Sequence, residues 1–501
     1  MDKAQNLENV NIARLFMGSS LSLIATSVTF AIIGAIMGPL KEIFVLTNAE
    51  IGWIGGAALW GFSITIFIFG PLCDVLGMKF LFRLAFIGHF AGVLTMIMAD
   101  GFTMLFIGAL ILAMGNGLVE AAANPLVATL YPDKKTEMLN KFHVWFPGGI
   151  VIGGLISFGL DSIGITSYQI KLLVILIPTI TYGILFFGQI FPATERLQSG
   201  VTGKDMVKST LLRPLFWVIV FAMAMTASVE LGPNRWIPAV LESAGIHGIL
   251  VLVWINLLMA VLRYKAGPIV HKLSPTGILL SSAIVSGIGL YWLSYTESLA
   301  MAIMAGTVFA VGVSYFWPTM LGVTSERIPK GGALALALVG GVGTIIVGLV
   351  TSPIMGSIAD DYLHEKLPVK ETTIVLQQIV DTYPGLKDEQ GTKTAADFEN
   401  AINAAQLILD DVGQNGELPK YSTANALRSA MAVAPNSDAS QAAKKLLGPA
   451  ENYGGKISFR RVAPLSILLT IIFGVMYFRD KKRGGYKAEK ISQGSNDEGV
   501  V

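Results

Sequence analysis

The chain of 501 residues is 53% apolar and only 14% charged, with a mean hydropathy of +0.63. Soluble domains carry about 25% charged residues, so a soluble multidomain enzyme is excluded. Disorder, which needs low hydrophobicity and high net charge, is excluded too. The formal net charge of +2 points to no nucleic-acid partner, and the single cysteine, Cys73, permits no internal disulfide.

Residues 1–14 are polar with mixed charge. The apolar run behind them is too long for a signal-peptide core of about 7–15 residues and reads as a first membrane span. A ruler of about 20 apolar residues per span predicts twelve spans, near 15–40, 50–72, 80–99, 102–130, 142–160, 169–191, 214–241, 248–270, 276–295, 298–325, 332–358 and 462–478. Helix is the expected form, because an open sheet cannot satisfy its backbone in lipid. The fold class expected is therefore an all-α integral membrane protein of two six-helix bundles, 15–191 and 214–358 with 462–478. A polar central loop, 192–213, joins the bundles.

The halves share landmarks. Gly70-Pro71 closing span two is matched by Gly267-Pro268 closing span eight, 197 positions on. Tyr131-Pro132 after span four is matched by Ile328-Pro329 after span ten at the same interval, and Gly148-Gly149 is echoed by Gly331-Gly332. Two parallel six-helix repeats are one organisation of secondary transporters.

Lys and Arg crowd one set of loops, Arg263 counted among them, against Lys41 and Lys171 on the other. The tail 479–501 joins the richer set. That bias predicts both termini and the central loop on the cytoplasmic side of a cell (inner) plasma membrane. Between spans eleven and twelve, residues 359–461 form a long polar insert, and Asp360–Arg461 holds 25 charged residues. Apolar residues at helical spacing in Thr373–Val380, Ala395–Val412 and Thr423–Val433, such as Phe398, Ile402, Ala405, Ile408 and Leu409, predict a small helical cap outside the membrane. A protein partner for that cap is one expectation.

An ionisable residue inside a span is costly and marks function by default. Span four carries Glu120 among small residues, with Asn124 one helical turn on. A carboxyl group so placed can exchange a proton near neutral pH. Span seven carries Glu230 and, around Pro233, the run Asn234-Arg235-Trp236. Proline breaks the helix ladder, so an unwound turn is expected there, offering an amide, a guanidinium and a ring to a sugar-like solute. Structural alternatives are a Glu230–Arg235 or Arg235–Glu120 ion pair, or an Arg235 that reaches outward to the interface. His143, Trp145, Asn256, Tyr315 and Trp317 are further candidates to line the path.

After span two, Gly70, Asp74, Gly77 and Lys79 form a gate motif at the cytoplasmic mouth, where a carboxylate can latch the halves by pairing with a basic residue or a helix N-terminus. No phosphate-cradling loop, Cys/His metal spacing or nucleophile elbow occurs. Neither an enzyme nor a bound cofactor is expected.

Twelve spans in six plus six, with Gly70…Asp74…Gly77…Lys79 after the second, resemble the major facilitator superfamily. Glu120-Ala121-Ala122-Ala123-Asn124-Pro125, followed by Leu139-Asn140 and Gly148-Gly149, resembles its fucose–proton symporter branch. The resemblance implies that Glu120 takes part in proton coupling and sugar binding. The branch's acidic residue in span one has no counterpart in Ile33-Gly34-Ala35-Ile36-Met37-Gly38-Pro39. The branch's sugar-binding glutamine of span five falls on His143, and a nearby asparagine falls on Phe146. The expected function is proton-coupled uptake of a sugar or similar small polar solute by alternating access. Glu120 and Glu230 would serve the proton, and Glu120, Asn124, Glu230, Asn234 and Arg235 would form the midplane site. A carrier of anionic solutes such as sugar acids, or a membrane sensor that binds a partner through its cap, are the other readings.

Overall fold

The computed structural model describes residues 9–44, 46, 48–386, 395–420 and 422–491, without the side chains of Lys41, Glu42, Asn48 and Ala49. Lys41, one of the two cations expected on the less basic side, and most of residues 1–14 therefore lie outside the described side chains, as does the tail from 492. No strand occurs among the described residues.

The first half comprises α1 (Ile12–Ile43), α2 (Asn48–Leu76), α3 (Met78–Ile97), α4 (Phe102–Leu130), α5 (Lys135–Phe142), α6 (Trp145–Ser162) and α7 (Tyr168–Phe186). The central loop carries α8 (Glu195–Gln198) and α9 (Gly203–Leu211). The second half holds α10 (Pro214–Glu242), α11 (Gly248–Tyr264), α12 (Ala266–Leu273), α13 (Pro275–Leu293), α14 (Leu299–Val313), α15 (Phe316–Arg327), α16 (Gly332–Ile346) and α17 (Ser352–His364). Then follow α18 (Val369–Leu386), α19 (Ala395–Asn415), α20 (Ser422–Val433), α21 (Asp438–Val462) and α22 (Leu465–Lys482). Eleven helical segments are long and apolar enough to cross a membrane, and α11 with α12, bent by 65° between them, supplies the twelfth. The chain thus folds as an all-helical membrane protein of twelve spans.

The repeat is visible in the backbone. Tyr131 ends α4 at φ −131°, ψ 64°, and Ile328 ends α15 at φ −132°, ψ 55°. Each precedes a proline, whose ring disfavours the helical region for the residue before it. A second of the three landmarks diverges: α2 runs straight through Gly70-Pro71, whereas its counterpart stops at Tyr264, three residues before Gly267-Pro268.

The halves meet through several helix pairs, α5 on α15 among them, and two of these form lateral seams. In one, α2 packs on α16. A Cβ on Gly70 would stand 2.0 Å from that of Ala337, the Ser63 and Thr344 hydroxyls lie 2.7 Å apart, and Leu59 abuts Gly348. In the other, α6 packs on α11, with Gly148 facing Ala260. Residues Val347–Thr351, between α16 and α17, form a single π-helical turn at the top of the first seam.

The insert is helical, as its periodicity predicts. Helices α18–α20 and the first half of α21 enclose their own core, including Leu376, Ile379, Phe398, Ala405, Ile408 and Leu427. Ile402 and Leu409 pack partly buried against it. Two boundaries differ from expectation. Helix α17 carries span eleven on to His364. Helix α21, not foreseen from sequence, brings the chain back as a stalk: Asn452 Nδ2 donates to Val240 O at 2.6 Å, and Gly454 sits against the Ala359 carbonyl. Pro464, which lacks an N–H, separates this stalk from α22.

Candidate functional site

The buried polar residues of the two halves converge at one place. In α4, Asn124 Nδ2 donates to Glu120 Oε2 at 2.5 Å, the one-turn pairing that their spacing allows. Asn124 Oδ1 lies 3.0 Å from His143 Nε2 at the α5–α6 junction. The His143 carbonyl accepts from Arg263 Nη1 at 3.1 Å, and Arg263 Nη2 meets Glu230 Oε1 at 2.8 Å. A continuous polar chain thus runs Glu120–Asn124–His143–Arg263–Glu230 from the first half into the second. All five side chains are buried, Arg263 at 2% and Glu230 at 3% exposure.

Two prolines shape this chain. Pro147 and Pro318 have no N–H for the carbonyls of His143 and Ser314, four residues back in each helix. Arg263 donates to both, reaching Ser314 O through Nε at 2.5 Å. The interruption at Ser314–Tyr315 also frees the first amides of α15. Tyr315 ties the same break to α11 by donating to Leu262 O at 3.0 Å. A third proline, Pro233, has a smaller effect than expected.

Helix α10 is continuous from Pro214 to Glu242 across both Pro233 and Pro238. The unwound turn expected at Gly232-Pro233 does not form. Successive residues therefore point about 100° apart, and Asn234, Arg235 and Trp236 cannot converge on one solute. Trp236 packs on Gly356 of α17, and Arg235 is exposed. The Asn234 Oδ1 atom is buried and has no hydrogen-bond partner among the described residues. Neither alternative ion pair of Arg235 forms. Glu230 pairs with Arg263, and Arg235 has no ion pair or hydrogen bond among the described residues.

Arg263 is the residue that sequence reading misplaced. Its expected place is among the loop cations, yet it is fully enclosed between α10, α15 and the α5–α6 junction. The signal was present, because the span drawn over 248–270 already enclosed it. Asn256, in contrast, bonds back to Leu252 O of its own helix at 2.9 Å. Trp145 is partly exposed, and its carbonyl accepts from Ser27 Oγ at 3.0 Å. Trp317 reaches the site: with Glu120, Asn124, Ala333, Ala337 and Gly340 it lines a small cavity between the halves.

Nearer the chain termini the halves are tied together. Asp74 pairs with Arg196 of the central loop at 2.6 Å and accepts from Thr194 Oγ1 at 2.5 Å. Gly77 holds φ +82°, a left-handed conformation that suits glycine, between α2 and α3. Lys79 Nζ donates to Gln189 O at 2.7 Å beyond α7. Lys135 meets Glu195 at 2.5 Å, and Asn140 Nδ2 donates to Thr319 Oγ1 at 3.1 Å across the seam. Among the described residues no cluster of His, Cys, Asp or Glu could hold a metal ion.

The profile of the Major Facilitator Superfamily matches residues 16–362. A search of curated proteins returned no match. Among solved structures, the Escherichia coli fucose:proton symporter FucP is 17% identical, over 71% of this chain and 93% of its own, with a TM-score of 0.58. The proton:xylose symporter XylE is 16% identical, over 70% and 90%, with a TM-score of 0.59. The human organic anion transporter MFSD10 is 13% identical, over 70% and 94%, with a TM-score of 0.58. At such identities the likeness concerns the fold. Together with the matched profile and the two six-helix halves, it establishes that the chain belongs to the Major Facilitator Superfamily of membrane transporters.

Proposed function

We propose that the protein takes up a small sugar-like polar solute together with protons, by alternating access of the two halves. One observation carries the coupling: two buried carboxylates, Glu120 and Glu230, share one buried guanidinium, Arg263. Uncompensated charge is costly out of water. Glu230 has its counter-charge in direct contact, whereas Glu120 has only an amide at hydrogen-bond distance. A proton on Glu120 neutralises the set, and its release must be matched by movement of the halves or of the solute. Glu230, held by Arg263, supplies the second acid that span one lacks. The named solutes of FucP and XylE, fucose and xylose, support a sugar-sized substrate.

In this reading Gly70, Asp74, Gly77 and Lys79 close the cytoplasmic mouth, both termini lie in the cytoplasm, and the insert stands outside a plasma membrane. The test is Glu120→Gln in reconstituted vesicles. The variant is expected to lose pH-driven accumulation while exchanging bound solute at the parental rate. Accumulation equal to the parent's removes Glu120 from the coupling. Absence of counterflow with a broad panel of sugars and sugar acids favours a sensor that works through its insert.

A further inference from the structure

We propose that Arg235 is the anchor for an anionic group, so that the solute is a sugar-sized acid rather than a neutral sugar. This rests on the carrier reading above and specifies its substrate class.

The direction of Arg235 follows from its neighbours along α10. Gly232 and Trp236 lie against the π-helical turn and α17, touching Thr351, Met355 and Gly356, and Pro238 lies against Gly248 at the start of α11. Arg235 falls between these two contact lines, so it faces the gap between α11 and α17. The corresponding face of α1 is fixed in the same way. Ala31 packs on Gly153 of α6 and Met37 on Gly55 of α2, which leaves Gly34 facing the gap between α6 and α2. Helix α6 packs on α11, and α2 packs on α16 and the π-helical turn beyond it. The two gaps therefore open onto one interior space, with Arg235 on one wall and Gly34 on the other.

The chemistry of that space is one-sided. Arg235 is exposed there without a partner among the described residues. Gly34 and Gly38 are also exposed, and a Cβ on either would have no neighbour within 4 Å. The second-half wall thus presents a guanidinium and the first-half wall presents bare backbone surface, with open space against Gly34 and Gly38. A guanidinium offers paired N–H donors matched to a carboxylate, and in a space walled by low-dielectric helices that match selects strongly for an anion. Arg235 lies five residues, about 7.5 Å, further from the terminal end of α10 than Glu230. An acid held there would sit next to the coupling residues without competing for Arg263.

The experiment uses the purified full-length protein, with glucuronate, galacturonate and gluconate as probes and glucose, galactose and fucose as neutral counterparts. Thermal-shift titration is expected to show saturable stabilisation by at least one acid and none by its neutral counterpart. Arg235→Gln should weaken that binding about tenfold or more, the loss expected for one charge-assisted contact, and Arg235→Lys should recover part of it. The ligand-free melting temperature should be unchanged, because Arg235 bonds no other group. Binding of a neutral sugar as tightly as its acid, an Arg235→Gln protein that binds the acid like the parent, or no response to any acid overturns the proposal. Counterflow separates the two levels. Exchange of a neutral sugar that ignores Arg235→Gln sinks the anionic substrate and keeps the carrier, whereas no exchange of either kind sinks the carrier.

Discussion

Arg263 occupies the carbonyl that Pro318 leaves free. Pro318 cannot donate to Ser314 O, and Arg263 Nε reaches that oxygen at 2.5 Å. The same side chain serves the carbonyl freed by Pro147 and the carboxylate of Glu230. One guanidinium thus satisfies three acceptors from three separate segments, through Nε, Nη1 and Nη2.

Removal of that guanidinium should be severe. In Arg263→Ala, Glu230 is left as an unpaired buried charge, Ser314 O loses its donor, and His143 O keeps only the long bond from the Phe146 amide at 3.4 Å. The expected cost is about 3–5 kcal/mol, read as a large fall in the detergent unfolding midpoint. Arg263→Lys keeps the charge but not the fork and should fall in between. Pairing Arg263→Met with Glu230→Gln should recover much of the loss, because no buried charge then lacks a partner. An Arg263→Ala protein as stable as the parent would show that the ion pair bears no weight in the fold.

The seam between α2 and α16 offers a second test. Gly70 stands so close to Ala337 that a methyl group on it would overlap the alanine. Gly70→Ala should therefore wedge the halves apart near the chain termini, and Ala337→Gly in the same protein should let them close again. Spin labels at Lys141 and Lys272, exposed residues of opposite halves at that end, should report a longer distance in the single variant and the parental one in the double. Equal distances in all three proteins would mean that the contact does not govern closure.

The insert carries its own core, so damage to it should stay local. Phe398 is fully enclosed there, edge-on to Tyr383. Phe398→Ala is expected to cost the insert about 3–5 kcal/mol, visible as faster amide exchange in α18–α20. Transport should persist at near-parental rates. Loss of transport together with the insert would mean that the cap takes part in the cycle.

The membrane fold was legible because spans are read from length and apolarity alone, and the halves were legible because each breaks its helix before a proline at Tyr131 and Ile328. The site was legible only in part. Glu120 and Asn124 could be paired from their four-residue spacing. The partner of Glu230 could not, since Arg263 is 33 positions away and a basic residue near a span end looks the same whether it faces water or the interior. The Pro233 reading failed for a related reason: a proline in a long helix removes one hydrogen bond, but the packing of α10 against α15–α17 keeps the rest of the helix intact. Helix α21 escaped notice because it is polar overall and owes its place to contacts with α10 and α17.

The last prediction concerns the tail beyond α22, which is clasped over the end where the halves meet. Glu326 is the hub. One carboxylate oxygen accepts from the amide and hydroxyl of Thr136 in the first half, at 3.0 and 2.8 Å. The other accepts from the Tyr486 hydroxyl at 2.7 Å, and the Glu326 carbonyl accepts from the Glu489 amide at 2.7 Å. Arg213 forks onto the Glu489 carboxylate, while Arg327 lies over the Tyr486 ring at 4.3 Å and pairs with Asp480 at 2.6 Å. The Lys490–Asp133 pair, 3.7 Å apart and largely exposed, adds little. Burial, and then the Glu326 carboxylate, push the Tyr486 hydroxyl well above its ordinary range. It therefore stays protonated and donates throughout the neutral range. An acid whose folded-state pKa is raised binds its proton more tightly when docked, so docking should weaken as pH climbs past about 10, where a free tyrosine ionises. Truncation after Gly485, or Tyr486→Phe with Glu489→Gln, should loosen the clasp at any pH. The readout is amide exchange in residues 134–142, whose Thr136 amide is capped by Glu326; it should rise several-fold in either variant and, in the parent, only in alkali. Unchanged exchange after truncation would show that Glu326 holds Thr136 without help from the tail.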